Sequence, residues 1–211
     1  GRPERLWDEH AHASNRTGIA DKVIVLDPGH GGPDPGVEGH GLSEAVIADD
    51  LARRIEGRLA AIGTQVLLTR PPSRFLDHVI GEGARASIAN EVSADLMISL
   101  HADGIGSQRP QGVATYYFGS SLNESELGRR FAELVQEEIV KRTDLVDCRS
   151  HPKTWDMLRT TQMPAVRIEV GYLTHTGDAA RLSQPRFRDT LAEAVAAAAV
   201  SFFSPMSETA G

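Results

Sequence analysis

Two histidines and two glutamates, far apart in the chain, stand where the local sequence can bring them to a shared rim. His30 lies in Asp27-Pro28-Gly29-His30-Gly31-Gly32, directly after a β-branched run, where glycines let the backbone turn sharply and leave the imidazole unobstructed. Glu44 follows Ser43, a candidate N-cap, at the start of an amphipathic segment. His101 ends the apolar run that begins at Asp95, and Glu169 sits inside the run Ala165 to Val170. Two imidazoles and one carboxylate fill three corners of a tetrahedral zinc and leave the fourth for water, the pattern of a catalytic rather than a structural site. A second carboxylate, here Glu169, then has the task of taking a proton and delivering it to a leaving group.

Each residue alone has a plainer explanation. A loop histidine is more often solvated than ligating, and an acid in the first turn of a helix is favoured by the helix dipole. Glu169 is harder to explain that way, because an acid within Ala165-Val166-Arg167-Ile168-Glu169-Val170 must be buried or sit at a strand mouth. The set is more specific than its members. With a single cysteine, Cys148, any metal site has to be built from His, Asp or Glu, and an intrachain disulfide is excluded.

The positioning elements follow from periodicity. Strands are expected at Val23 to Leu26, Gln65 to Thr69, Asp95 to Leu100, Val113 to Phe118 and Ala165 to Val170. Ile47, Leu51, Ile55 and Leu59 recur every four residues and predict a helix that stops with Gly63 at C′. Further helices are expected over 82–90, along Leu127, Phe131, Val135 and Ile139, and along Phe187, Leu191, Val195 and Phe202. The alternation predicts a three-layer α/β sandwich with a mostly parallel twisted sheet flanked by helices, whose sites gather beyond the carboxyl ends of the strands.

Composition narrows the function classes. The chain has 211 residues and a formal charge of −7, with no dense Lys/Arg tract, which argues against nucleic acid as a partner. No segment reads as a membrane span, and residues 1–20 lack a signal-peptide pattern. A start at Gly1 suits a processed piece of a longer protein. The expected division is a polar extension or linker over 1–21, one catalytic domain over 22–204 and a tail over 205–211.

Together these motifs resemble the zinc-dependent N-acetylmuramoyl-L-alanine amidases of the type 3 class. Asp27 to Gly32 with Asp34-Pro35-Gly36 resembles the opening motif, and Gly41-Leu42-Ser43-Glu44 the segment with the acidic ligand. Thr69-Arg70, Arg85 and Asn90 follow in family order. Ile98 to Asp103 resembles the second histidine motif, and Pro164 to Thr174 the motif with the catalytic glutamate. The resemblance spans roughly residues 22 to 203. It implies zinc held by His30, Glu44 and His101, Glu169 as general base, and hydrolysis of the amide joining N-acetylmuramic acid to L-alanine in peptidoglycan or muropeptides. It also implies action in the bacterial cell wall or outside the cell, by a monomer. Asp103 and Thr174 depart from the asparagines more usual in the family, and the wording of 94–100 and 154–173 is closest to its actinobacterial branch. That branch implies an alternative: an amidase-like zinc-binding regulatory domain, cytoplasmic and with little or no turnover, that binds a partner in wall-precursor synthesis. Another zinc hydrolase, such as a deacetylase, ranks last.

Among the remaining residues, Arg70, Arg85 and Arg167 are candidates for pairing with substrate carboxylates, although structural ion pairs are the commoner use of such arginines. His40 is expected to be exposed, and His10, His12, His78, His151 and His175 have no motif context. Trp155, Met157 and Leu158 are expected to pack beneath the rim, and Tyr116 and Tyr117 to face opposite sides of a strand.

Overall fold

The computed structural model describes residues 18–104 and 106–204, so His10, His12, most of the expected N-terminal extension and the tail 205–211 lie outside the described residues. Six strands form one sheet. They are β1 (Val23–Pro28), β4 (Gln65–Leu68), β5 (Leu96–Asp103), β6 (Val113–Phe118), β7 (Asp147–Lys153) and β8 (Ala165–Tyr172), in the order β4-β1-β5-β8-β6-β7. The first four in that order are parallel; β6 runs antiparallel to β8, and β7 is parallel to β6. A two-residue hairpin, β2 (Glu38–Gly39) and β3 (Leu42–Ser43), precedes the first helix.

Helices cover both faces. Against one pack α1 (Glu44–Ala60), α3 (Glu126–Arg142) and α6 (Pro185–Phe203), and the main core joins them to Ile24, Leu26, Ile98, Leu100, Val166 and Ile168. Against the other face lie α2 (Glu82–Glu91) and α4 (Asp156–Thr160), over a smaller cluster with Val25, Met97 and Ala165. A short α5 (Thr176–Leu182) follows β8. Within the described residues no helix is long and apolar enough to cross a membrane.

The helix read from the spacing of Ile47, Leu51, Ile55 and Leu59 ends as expected. Gly63 has φ +89°, its N–H bonds Ala60 O at 3.1 Å, and the N–H of Thr64 reaches back to Leu59 O at 3.1 Å. These are the paired bonds of a Schellman cap, which needs a left-handed residue at this point. Residues 18–21 already pack on the domain, with Gly18 N–H on Phe203 O and Asp21 N–H on Gly63 O.

On the α2/α4 face, each long parallel strand begins apolar and turns polar toward its carboxyl end. Val25 gives way to Asp27, Met97 to Ser99 and His101, and Ala165 to Arg167 and Glu169. Registration aligns these changes: Asp27 pairs with Ser99, Ser99 with Arg167, and Arg167 with Tyr116, which pairs with His151. One step further along, His101 pairs with Glu169. Because registered partners point to the same side of a sheet, a polar row crosses this face at its carboxyl-end rim.

Candidate metal centre

Three of the four predicted groups converge closely. His30 Nε2 lies 3.2 Å from Glu44 Oε2, and His101 Nδ1 lies 2.7 Å from Glu44 Oε1. The presented atoms of His30, Glu44 and His101 all fall within 4.8 Å of one another, and the two rings meet edge-on with centroids 5.3 Å apart. Glu44 is the first residue of α1, and its carboxylate is held by the backbone: Val37 N–H donates to Oε2 at 3.0 Å and Ala102 N–H to Oε1 at 3.2 Å. Ser43 occupies the N-cap position without a side-chain capping bond; the Glu44 and Ala45 N–H groups instead donate to Val37 O and Pro35 O.

The glycines of the loop are required by close approach. A Cβ on Gly29 would stand 2.4 Å from the His101 ring, and one on Gly36, at φ +66°, would stand 2.6 Å from Glu44 Oε2 and 2.7 Å from the His30 ring. His30 itself has φ +56°, uncommon for a residue with a side chain, in a conformation held from both flanks. Its Nδ1 donates to Asp34 Oδ2 at 2.7 Å, while Asp34 Oδ1 accepts from Gly36 N–H at 2.9 Å. A carboxylate on the far nitrogen of an imidazole is the usual support of a ligating histidine, because it fixes which nitrogen faces the metal.

Two buried arginines hold the loop that carries His30. Arg85, from α2, donates to Pro28 O at 2.8 Å and His30 O at 2.7 Å, and pairs with Asp27 at 2.7 Å. Arg70 donates to Pro28 O at 2.8 Å, Gly29 O at 2.9 Å and the Asp49 carboxylate at 2.6 Å. Asp27 is buried and also accepts from Thr69 and Ser99, each at 2.6 Å. Burial alone would raise its pKa, but the Arg85 charge and these hydrogen bonds outweigh it and hold the carboxyl below its ordinary value. Arg70 and Arg85 are therefore structural, the commoner use for such arginines.

Charge is arranged unequally around the site. For Glu44, burial is overcome by hydrogen bonds from His101 and His30, so its pKa falls well below the usual carboxylate range. The hydrogen bond to Glu44 pushes His30 up to about 8, against the opposing effect of burial. Burial lowers His101. Glu169 goes the other way: burial raises it to about 7, with the Asp103 and Glu44 charges adding to the rise and Arg167 opposing it. Only 3% of Glu169 is exposed, and its Oε1 accepts from Arg167 Nε at 2.8 Å while Oε2 has no partner. A buried carboxylate oxygen left unpaired is costly and uncommon outside functional sites.

A cleft beside His30 and His101 has a volume of about 250 Å³, and its walls also include Arg167, Val79, Ile80 and Met157. Among the described residues the other histidines do not line it. His40 and His78 are exposed, His151 bonds Cys148 O at 2.6 Å, and His175 caps α5 by accepting from Asp178 N–H at 3.1 Å. Met157 and Leu158 are buried, Tyr117 faces the main core and Tyr116 faces Trp155 with ring centroids 4.8 Å apart. The partners that sequence reasoning left without a role are Asp34, Asp27 and Ser99. An aspartate closing an apolar strand, as in Val-Leu-Asp27, carried a signal of the kind used for Glu169.

The family model for N-acetylmuramoyl-L-alanine amidase (Amidase_3) matches residues 24–201. The chain belongs to this amidase family. It is 42% identical over 203 residues to the N-acetylmuramoyl-L-alanine amidase CwlM of Mycobacterium tuberculosis, covering 94% of this chain and 49% of that protein. To the N-acetylmuramoyl-L-alanine amidase LytC of Bacillus subtilis it is 30% identical, over 88% of this chain and 36% of that protein. The chain thus spans half or less of these two relatives. Among solved structures, the N-acetylmuramoyl-L-alanine amidase AmiC2 of Nostoc punctiforme superposes with a TM-score of 0.77 at 29% identity, covering 88% of this chain and 98% of that one. The fold is thereby shared over 88% of this chain, and the predicted fold class stands.

The donor set fits the zinc expected of this family. Two imidazoles and a carboxylate suit a catalytic zinc, the Asp34 support is in place, and the unpaired Oε2 belongs to Glu169, which is in register with His101. A metal has to displace the proton that His30 retains up to about pH 8 in the metal-free protein.

Proposed function

We propose that the chain is a zinc-dependent amidase of peptidoglycan, hydrolysing the amide between N-acetylmuramic acid and the L-alanine of the stem peptide. His30, Glu44 and His101 hold the metal and Glu169 transfers the proton. The observation that carries this reading is Glu169, buried in register with His101, with one oxygen anchored and the other unpaired. A zinc ion on the triad supplies Lewis acidity, polarising the scissile carbonyl and easing deprotonation of water near neutral pH.

The chain's own groups do the rest. Arg167 fixes Oε1 of Glu169, which leaves Oε2 to accept the proton of the attacking water and return it to the leaving amine. Burial raises the proton affinity of this carboxylate in the metal-free chain, the direction that favours its accepting a proton. Arg70 and Arg85 keep the His30 loop in place by engaging its carbonyls, and Val79, Ile80 and Met157 give the cleft an apolar wall. All four groups come from one chain, so the proposed unit is a monomer, with the cell wall as its place of action. The regulatory alternative is not favoured: the relatives are named as amidases, and the four-residue set is complete here.

The test is release of free stem peptide from N-acetylmuramoyl-peptides by the zinc-loaded chain. Peptide whose new N-terminus is L-alanine is the expected product. A folded, zinc-loaded chain that releases none overturns the reading.

A further inference from the structure

Of the three arginines near the cleft, two are saturated and one is not. Arg70 and Arg85 direct their donors at backbone carbonyls and at Asp49 or Asp27, and both are buried. The side chain of Arg167 is 22% exposed and lines the same cleft as His30 and His101. Its Nε and Nη2 both engage a single oxygen of Glu169, at 2.8 and 2.7 Å. Nη1 has only Glu82 Oε1 at 3.6 Å, too long for a hydrogen bond, from a side chain that is half in solvent. A guanidinium carries five N–H donors, so the Nη edge of this one retains donors without acceptors.

That guanidinium has an aromatic neighbour. The Cζ of Arg167 lies over the indole of Trp155 at 4.8 Å, and the ammonium of Lys153 lies over the same ring at 5.5 Å and over Tyr116 at 5.9 Å. Contact with a ring face leaves the edges of the fork open, the arrangement that favours bidentate recognition of a carboxylate. Among the described residues Lys153 forms no ion pair with a carboxylate. The acids Glu82 and Glu169 offset much of this positive charge in a chain of net charge −7, so an anionic ligand would be held here by the directed donors of Arg167 and not by a long-range field.

Position says which part of a substrate would meet it. Glu169, which delivers the proton to the departing amine, is the direct partner of Arg167, so Arg167 borders the peptide side of the scissile amide and not the glycan side. We propose that Arg167 is a specificity-determining residue: its free Nη edge, beside Trp155 and backed by Lys153, binds a free carboxylate on the stem-peptide residue next to L-alanine. The inference rests on the amidase reading of the site.

The test compares two ligands that differ only in that group: N-acetylmuramoyl-L-alanyl-D-glutamate with its γ-carboxylate blocked as the methylamide, and the same compound with the α-carboxylate also amidated. With zinc-loaded protein the quantity read is the acid-to-amide ratio of kcat/KM; where no peptide is released, it is the ratio of affinities by calorimetry. Wild type should prefer the acid by roughly tenfold or more, the scale of a charge-assisted pair. Arg167→Leu, shown to be folded by circular dichroism, should lose the acid-to-amide preference and handle both ligands alike, with turnover of both lowered because Glu169 Oε1 loses its anchor. Arg167→Gln is the second variant if Arg167→Leu does not fold, with the same expected loss of preference. Equal handling of both ligands by wild type, no measurable binding of either, or a preference that survives in the variants each overturns the proposal. Absence of peptide release with the affinity preference intact instead counts against the amidase reading alone.

Discussion

The two halves of the rim are built differently. On the β1/β5 side, the buried polar groups are partnered: Asp27 has three partners, Arg85 reaches three backbone carbonyls and Glu44 joins both histidines and two backbone N–H groups. On the β8/β6 side, Glu169 Oε2 is buried and unpaired, and Arg167 keeps open donors. The first half is a rigid cage whose electrostatics hold carboxylates charged. The second stores an unsatisfied acid whose proton affinity is raised. A metal site benefits from rigidity, whereas proton transfer needs a group that has not been neutralised by its neighbours.

The largest effect expected from breaking this contrast is chemical. Glu169→Gln should lower turnover of a muropeptide by about 10²- to 10⁴-fold, the range for losing a general acid-base group, while zinc content stays unchanged. Next in size is the cage. Arg85→Ala removes one partner of a buried pair and leaves Asp27 charged, so it should cost about 3–5 kcal/mol of folding stability in a denaturant titration. Asp34→Ala should weaken zinc binding by about 10- to 100-fold, as loss of an outer partner does, without a comparable loss of stability. On the surface, Arg54→Ala breaks a half-exposed pair with Asp50 and Asp189 and should change stability by only about 0.2–1 kcal/mol.

A pH series sharpens the same contrast in the metal-free protein. The folded-state pKa of Glu169, about 7, lies above its ordinary 4.5, so the folded chain holds a proton that the unfolded chain has released. Stability from this group is complete below 4.5 and is lost as pH rises toward 7. Between pH 4.5 and 6.5 this loss runs against the gain from His101, whose lowered pKa keeps it neutral while the unfolded histidine is protonated, so Glu169→Gln should gain stability with rising pH more steeply than wild type. Asp27 and Glu44 have the opposite sign: their contribution is present above the ordinary carboxylate range and lost in acid.

Much of this was legible in the sequence. Val113–Phe118 is a strand with the expected bounds, and α1, α3 and α6 follow their four-residue apolar spacing, because burial on one face imposes that period. β7 was not foreseen. Its sequence, Asp-Cys-Arg-Ser-His-Pro-Lys, is an edge strand with alternating half-burial and no apolar face. The five-residue α4, the seven-residue α5 and the two-residue strands β2 and β3 are too short to show a period. The four groups of the proposed site stood out through their loop and strand-end settings. Their supports did not: what Asp34, Asp27 and Ser99 touch depends on registration between strands, which single-strand patterns do not carry. The contrast between Arg85 and Arg167 likewise appears only once α2 lies over β1 and Trp155 lies under β8's guanidinium.

The division between a metal cage and a separate proton carrier is tested most directly by metal content. The account predicts about one zinc per chain in wild type by elemental analysis after zinc loading and dialysis. Glu169→Gln should retain that zinc, and Glu44→Ala should lose it. A wild-type chain without stoichiometric zinc, or a Glu44→Ala chain that retains it, would contradict the account.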